Sequence, residues 1–220
     1  MDSYYYEDGN FLGYADILKI LDSLYEKCIS GIGVINSPSV DRMAYDYLVR
    51  YGEPKHACRK MMNYQVAKCT TSGVLTGFGG AITLPITIPA NISSVLYVQM
   101  RMVACTAYLA GMDLHSDQVQ TFVYACLAGV SITELAKQAG VKFGTKLATK
   151  AIERIPGKAL TRINQRVGFR FITKFGEKGI VNLGKLLPGV GAVVNGGLDF
   201  AETRIIGNRA YNLFFEGVNI

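Results

Sequence analysis

The chain contains no tryptophan, only two histidines, and a low 18% of charged residues. With His56 and His115 as the only imidazoles, a histidine-rich metal centre is ruled out. "KHAC" places His56 two residues before Cys58, a spacing that fits no common structural zinc site. The five cysteines, Cys28, Cys58, Cys69, Cys105 and Cys126, are odd in number and form no C-x-x-C pair. All five fall in segments that read as helical, so buried free thiols in a reducing compartment are expected rather than disulfides. No G-x-S-x-G elbow occurs, which argues against a serine hydrolase of that class. The glycine clusters "GFGG" and "PGVGAVVNGG" give neither G-x-x-x-x-G-K-[ST] nor a strand-backed G-x-G-x-x-G, so phosphate-loop chemistry is not indicated. The acidic opening "MDSYYYEDGN" lacks an apolar h-region, and a secretory signal is not expected. No convincing period-2 strand appears. Neither a metal nor an organic cofactor is expected.

What is present is helical punctuation. Half of the 220 residues are hydrophobic and the mean hydropathy is +0.21, enough to bury a full core. "YADILKILDSLYEKCISG" puts Ile17, Leu21, Leu24 and Cys28 on one face, with Gly31 just beyond. "SPSVDRMAYDYLVRYG" predicts a helix capped by Ser37, with Pro38 in its first turn and Gly52 at its end. Pro54 and Pro89 open two further helices, the second closed by Gly111. Ser116 caps a helix predicted to run to Gly140. A last helix, "LDFAETRIIGNRAYNLFF", follows a second glycine-rich hairpin. In it Asp199 and Glu202 share a face near Arg204, and a buried ion-pair network is expected there rather than acid–base catalysis. The predicted fold is all-α, a single helical domain with two Gly/Pro-rich apolar hairpins packed between amphipathic helices. The hairpin residues are Gly77, Gly79, Gly80, Pro85 and Pro89 in the first, and Pro188, Gly191, Gly196 and Gly197 in the second; the glycines are expected at close helix contacts or tight turns.

Cys69 to Met100 is a run of 32 residues without a charge. Its length suffices to span a bilayer, but its internal prolines remove backbone donors and break a continuous helix. Three arrangements fit it: a core hairpin, a re-entrant or interfacial element, and a simple spanning helix.

Charge is distributed unevenly around the net +6. Residues 142–185 carry 11 basic and 2 acidic side chains, whereas residues 1–50 carry 4 basic and 8 acidic. Within the basic region every fourth residue is a cation: Lys142, Lys146, Lys150, Arg154, Lys158, Arg162, Arg166, Arg170, Lys174 and Lys178. In nine of these ten cases the next residue is apolar. A step of four residues advances a helix by 400°, so each cation drifts about 40° from the last. Pro156-Gly157 interrupts the series. The result is two helices, each with a gently winding cationic stripe at the edge of an apolar face. Solvated core helices would show the same pattern. The functional reading is a surface for anionic lipid headgroups. Nucleic acid is disfavoured as a partner, because no aromatic RNA-binding motif, zinc finger or recognition helix accompanies the cations.

The order of the first Gly-rich hairpin, the paired prolines, "QMR" and "YLAGMD" resembles the EcsC family of bacterial proteins. The residues that carry it are Gly77, Gly79, Gly80, Pro85, Pro89, Gln99, Arg101, Tyr108, Gly111 and Asp113. "INQRVGFRFITKFGEKGIVNLGKLLPGVGAVVNGGLDFAETRIIGNRA" is similar to the family's C-terminal half, through Gly168, Lys174, Gly179, Pro188, Gly191, Gly196, Asp199, Thr203, Arg204 and Ala210. The likeness covers roughly residues 55–215, leaving 1–54 as an N-terminal helical extension and 55–220 as the EcsC-like domain. The family takes its name from an operon encoding an ABC transporter linked to secretion and membrane-protein processing. The tetrad stripe and the two uncharged hairpins, read beside this association, point to a non-enzymatic accessory protein at the inner face of the membrane, with an anionic membrane surface or a membrane protein such as an ABC transporter as expected partner. The resemblance supplies no catalytic residue. The alternatives are a soluble enzyme or small-ligand binder with a site near the hairpins, and a basic nucleic-acid-binding module.

Overall fold

The computed structural model describes residues 14–70, 90–131, 152, 155–175 and 191–217. Helix α1 spans Tyr14–Ser30, α2 Val40–Tyr51, α3 Pro54–Thr70, α4 Ala90–Leu109, α5 Asp117–Ala128, α6 Gly157–Phe175 and α7 Gly191–Tyr211. A π-helical turn, Asn212–Glu216, extends α7. Among the described residues there is no strand, only an isolated bridge between Ile32 and Ser37. The fold is all-α.

Helix α4 is the axis of the bundle, packed against α1, α2, α3, α5 and α7. Its surroundings explain its composition. A helix covered on all sides must be apolar all round, and from Leu96 to Ala107 every residue of α4 is buried. The polar side chains of that buried stretch have partners. Gln99 donates from Nε2 to Thr203 Oγ1 of α7 at 3.0 Å, and Thr106 Oγ1 donates back to the Met102 carbonyl at 2.8 Å. Helix α7 approaches closely at Gly207, where a Cβ would lie 3.0 Å from Met62 Cε and 3.2 Å from Met102 Cε. Gly207 is thus a close-contact glycine between packed helices.

Helices α1 and α2 contribute to the same core as the rest, through Leu21, Leu24, Tyr25, Cys28, Val40 and Met43. Tyr25 fixes α1 to the turn before α5: its hydroxyl donates to the Leu114 carbonyl at 2.8 Å across the buried core. Tyr25→Phe leaves that carbonyl without its donor, and the expected cost is about 1–3 kcal/mol in urea-induced unfolding.

Three boundaries differ from the sequence reading. The N-cap of α2 is Ser39, not Ser37. Ser37 instead exchanges backbone bonds with Ile32, donating at 3.1 Å and accepting at 2.8 Å. That bridge closes the loop before the helix can start. Helix α5 stops at Ala128, not Gly140, because Gly129 takes φ +67° and its N–H returns to the carbonyls of Ala125 and Cys126. A left-handed glycine is a common helix terminator, and it acts here although apolar residues continue beyond it. Gly191, Gly196 and Gly197, expected in a hairpin, lie within α7. Glycine disfavours a helix by only about 1 kcal/mol relative to Ala, whereas proline excludes its interior, and α7 begins three residues after Pro188. Gly77, Gly79, Gly80, Pro85, Pro89 and Pro188 lie outside the described residues, as does most of the uncharged run. No described helix is long and apolar enough to cross a membrane.

Candidate functional site

Helix α6 follows Pro156, and its first turn forms on that proline's carbonyl, which accepts from Ala159 N at 2.8 Å. Its sequence, GKALTRINQRVGFRFITKF, contains five cations and no acid. Packing against α1 and α5 decides how it turns. Ala159, Ile163, Val167 and Phe171 are buried in the core. Each of them directly follows a tetrad cation. Lys158, Arg162, Arg166 and Arg170 are all exposed. The pairing of cation and hydrophobe therefore has a structural cause on one side: the hydrophobe holds α6 to the bundle, and the cation stands about 100° away on the outside. One large apolar side chain does face outward. Phe169 is 47% exposed and falls within the cationic arc, roughly 20° from the direction of Lys158. Lys174 lies in the last turn of α6. Lys142, Lys146, Lys150, Arg154, Lys178 and the side chain of Lys174 lie outside the described residues.

A second feature is interior. The loop 32–38 and helices α2, α3 and α4 enclose a cavity of about 340 Å³ whose wall includes Met43, Tyr64, Gln65, Lys68, Tyr97 and Arg101. Tyr64 is exposed, so the cavity is open to solvent. Arg101 is the only charged residue between Lys68 and Asp113, yet it is 4% exposed. Its Nη1 donates to the Cys28 carbonyl at 2.8 Å and to the Tyr97 hydroxyl at 3.4 Å. The Tyr97 hydroxyl also lies 3.0 Å from Ser37 Oγ. Burial, followed by the charge of Arg101, lowers the Lys68 pKa below its ordinary value. The sequence reading missed this site. The available signal was a solitary arginine in a long uncharged stretch.

The remaining candidates are not brought together. Cys58 is buried and donates to Thr106 Oγ1 at 3.5 Å, whereas His56 is exposed and packs edge-on against Tyr51, ring centroids 5.8 Å apart. They point to different sides of α3 and form no nucleophile–base pair. Arg204 is exposed and Glu202 half-buried, while Thr203 reaches the core from α7. The side chain of Asp199 lies outside the described residues. No group of three or more His, Cys, Asp or Glu among the described residues is placed to hold a metal. All five cysteines are free and buried, as expected. Burial raises the thiols of Cys28, Cys58, Cys105 and Cys126, Cys58 to about 11 and Cys126 to about 12. Native protein at pH 8 should therefore resist labelling by a thiol-specific disulfide reagent over an hour, and unfolded protein should release five equivalents. Rapid labelling of any one thiol in the native state would contradict this burial.

These features define a class: an all-α bundle with a uniformly basic outer helix and an arginine-lined cavity. A model of the EcsC protein family matches residues 45–215, most of the chain. The chain belongs to the EcsC family. No curated protein and no solved structure matches it.

Proposed function

We propose that this protein is a membrane-associated helical accessory protein, not an enzyme, that docks on the anionic inner face of a membrane through the outer surface of α6. The observation that carries this reading is the exposure of Lys158, Arg162, Arg166 and Arg170 along one acid-free helix. The burial of Ala159, Ile163, Val167 and Phe171 revises the mode of docking. Those side chains hold the bundle together and do not enter lipid, so attraction rests on charge, with Phe169 as an interfacial contact. Near an anionic leaflet each basic residue contributes about 1 kcal/mol. An acidic face of a membrane protein presents the same charge, and protein-free vesicles separate the two partners. In liposome flotation the protein is expected to float with vesicles containing phosphatidylserine or phosphatidylglycerol, and to be released as salt rises. Equal recovery with purely neutral vesicles, or no flotation with either, would overturn the proposal.

A further inference from the structure

The cavity beneath the 32–38 loop offers a different chemistry from the outer helix. Arg101 places a guanidinium, a planar fork of N–H donors, inside the bundle. Among the described residues its oxygen acceptors are the Cys28 carbonyl and the Tyr97 hydroxyl, and both are taken by Nη1. Cys28 belongs to the last turn of α1, so Nη1 also satisfies a carbonyl at a helix C-terminus, where a cation is favoured. That accounts for half of the guanidinium. Among the described residues the other terminal nitrogen, Nη2, reaches only Met43 Sδ, at 3.7 Å. Gln65 is buried, and its Nε2 donates to the same sulfur at 3.5 Å. A thioether is a weak acceptor. Two strong donors from different helices therefore converge on one poor partner. Lys68 stands one turn along α3 from Gln65, on the same cavity wall. The described lining includes no aspartate or glutamate.

We propose that this cavity binds a small oxyanion, a phosphate or carboxylate group on a compact body, received by Arg101 Nη2, Gln65 Nε2 and Lys68. An anion oxygen there replaces sulfur as the acceptor for both donors and relieves the repulsion between the two cations. Met43 is unbranched and flexible and can yield the position. Tyr47 and Tyr64 line the same space and provide aromatic wall for the body of the ligand. The volume of about 340 Å³ is at the low end of small-ligand sites, roughly 300–1,000 Å³. A monophosphate or short carboxylate fits that scale. The group could belong to a free metabolite or to a phospholipid headgroup, and both present the same oxygens.

Isothermal titration of the full chain in a phosphate-free buffer tests the site. The probes are inorganic phosphate, acetate and a water-soluble short-chain phosphatidic acid. Saturable binding of one equivalent is expected for at least one of them. Lys68→Met and Gln65→Leu should each weaken it tenfold or more while the protein stays folded by circular dichroism. These two carry the test, because Arg101→Met also strips the α1 terminus of its donor. Arg162→Glu/Arg166→Glu on the outer helix should bind the probe like wild type, which separates this site from the docking surface. No saturable binding by any probe would overturn the proposal. So would unchanged affinity in both pocket variants, or a loss confined to the outer-helix variant. Phosphatidic acid held tenfold tighter than phosphate would identify a lipid headgroup, and equal affinities a free anion.

Discussion

Reversing Lys158, Arg162, Arg166 and Arg170 to Glu should lower affinity for anionic vesicles by a factor on the order of a thousand. The four side chains are exposed on α6. At about 1 kcal/mol each, their loss removes roughly 4 kcal/mol of attraction, and 1.4 kcal/mol is tenfold. The introduced carboxylates add repulsion, so this is a lower bound. The fold should tolerate the change, because exposed substitutions shift stability by about 0.5 kcal/mol or less apiece. The helix dipole makes the effect uneven along α6. A carboxylate at 158 is slightly favourable near the N-terminus, and one at 170 slightly unfavourable toward the other end. Arg162→Lys with Arg166→Lys should bind like wild type, since a surface potential reads charge and not fork geometry. Flotation of all three proteins across a salt series measures this. If the quadruple variant still binds anionic vesicles as tightly as wild type, α6 is not the docking face.

How much of this was legible in the sequence depends on whether the physics was local. Pro54 announced a helix start, because a proline restricts its own turn whatever surrounds it. The 3.6-residue pattern of Ile17, Leu21, Leu24 and Cys28 identified the buried face of α1 for the same reason. The helix stop at Gly129 was hidden, because the apolar run continues through "VSI" and only the backbone shows the left-handed turn. Ser37 was misassigned as a cap because its partners, Ile32 and the Tyr97 hydroxyl, lie outside its own turn. The tetrad period was plain, but its cause was not. Periodicity reports that cation and hydrophobe occupy neighbouring directions; only the packing of α6 on α1 and α5 shows that the hydrophobe points inward. The cavity was the least legible feature. Met43, Gln65 and Arg101 come from three helices and form no spacing motif, and what unites them is a shared poor acceptor that exists only after folding.

Gly31→Ala should destabilise the protein by about 3 kcal/mol or more, an effect that belongs to the short list of severe single substitutions. Gly31 ends α1 with φ +81°. In that left-handed region a Cβ costs about 1–2 kcal/mol before any contact is counted. Here contact is severe. A Cβ at Gly31 would lie 2.5 Å from the Ser37 carbonyl oxygen and 2.6 Å from the Pro38 carbonyl carbon. Both are backbone atoms, held by the Ile32–Ser37 bridge, so no side chain can swing away. Relief requires the loop itself to move, at roughly 1–3 kcal/mol for overpacking of this kind. The loop is also a wall of the cavity, and it carries Ser37 to the Tyr97 hydroxyl beside Arg101. The substitution should thus lower Tm by roughly 6–12 °C and weaken oxyanion binding together, although residue 31 is not among the donors. Gly52→Ala provides the control. Its φ of +75° is similarly strained, but a Cβ there meets nothing within 4 Å. It should lose only the conformational part, with nothing added for overpacking, and leave oxyanion affinity unchanged. Equal Tm losses in the two variants would show that the closed loop yields freely, and that it does not position the cavity wall.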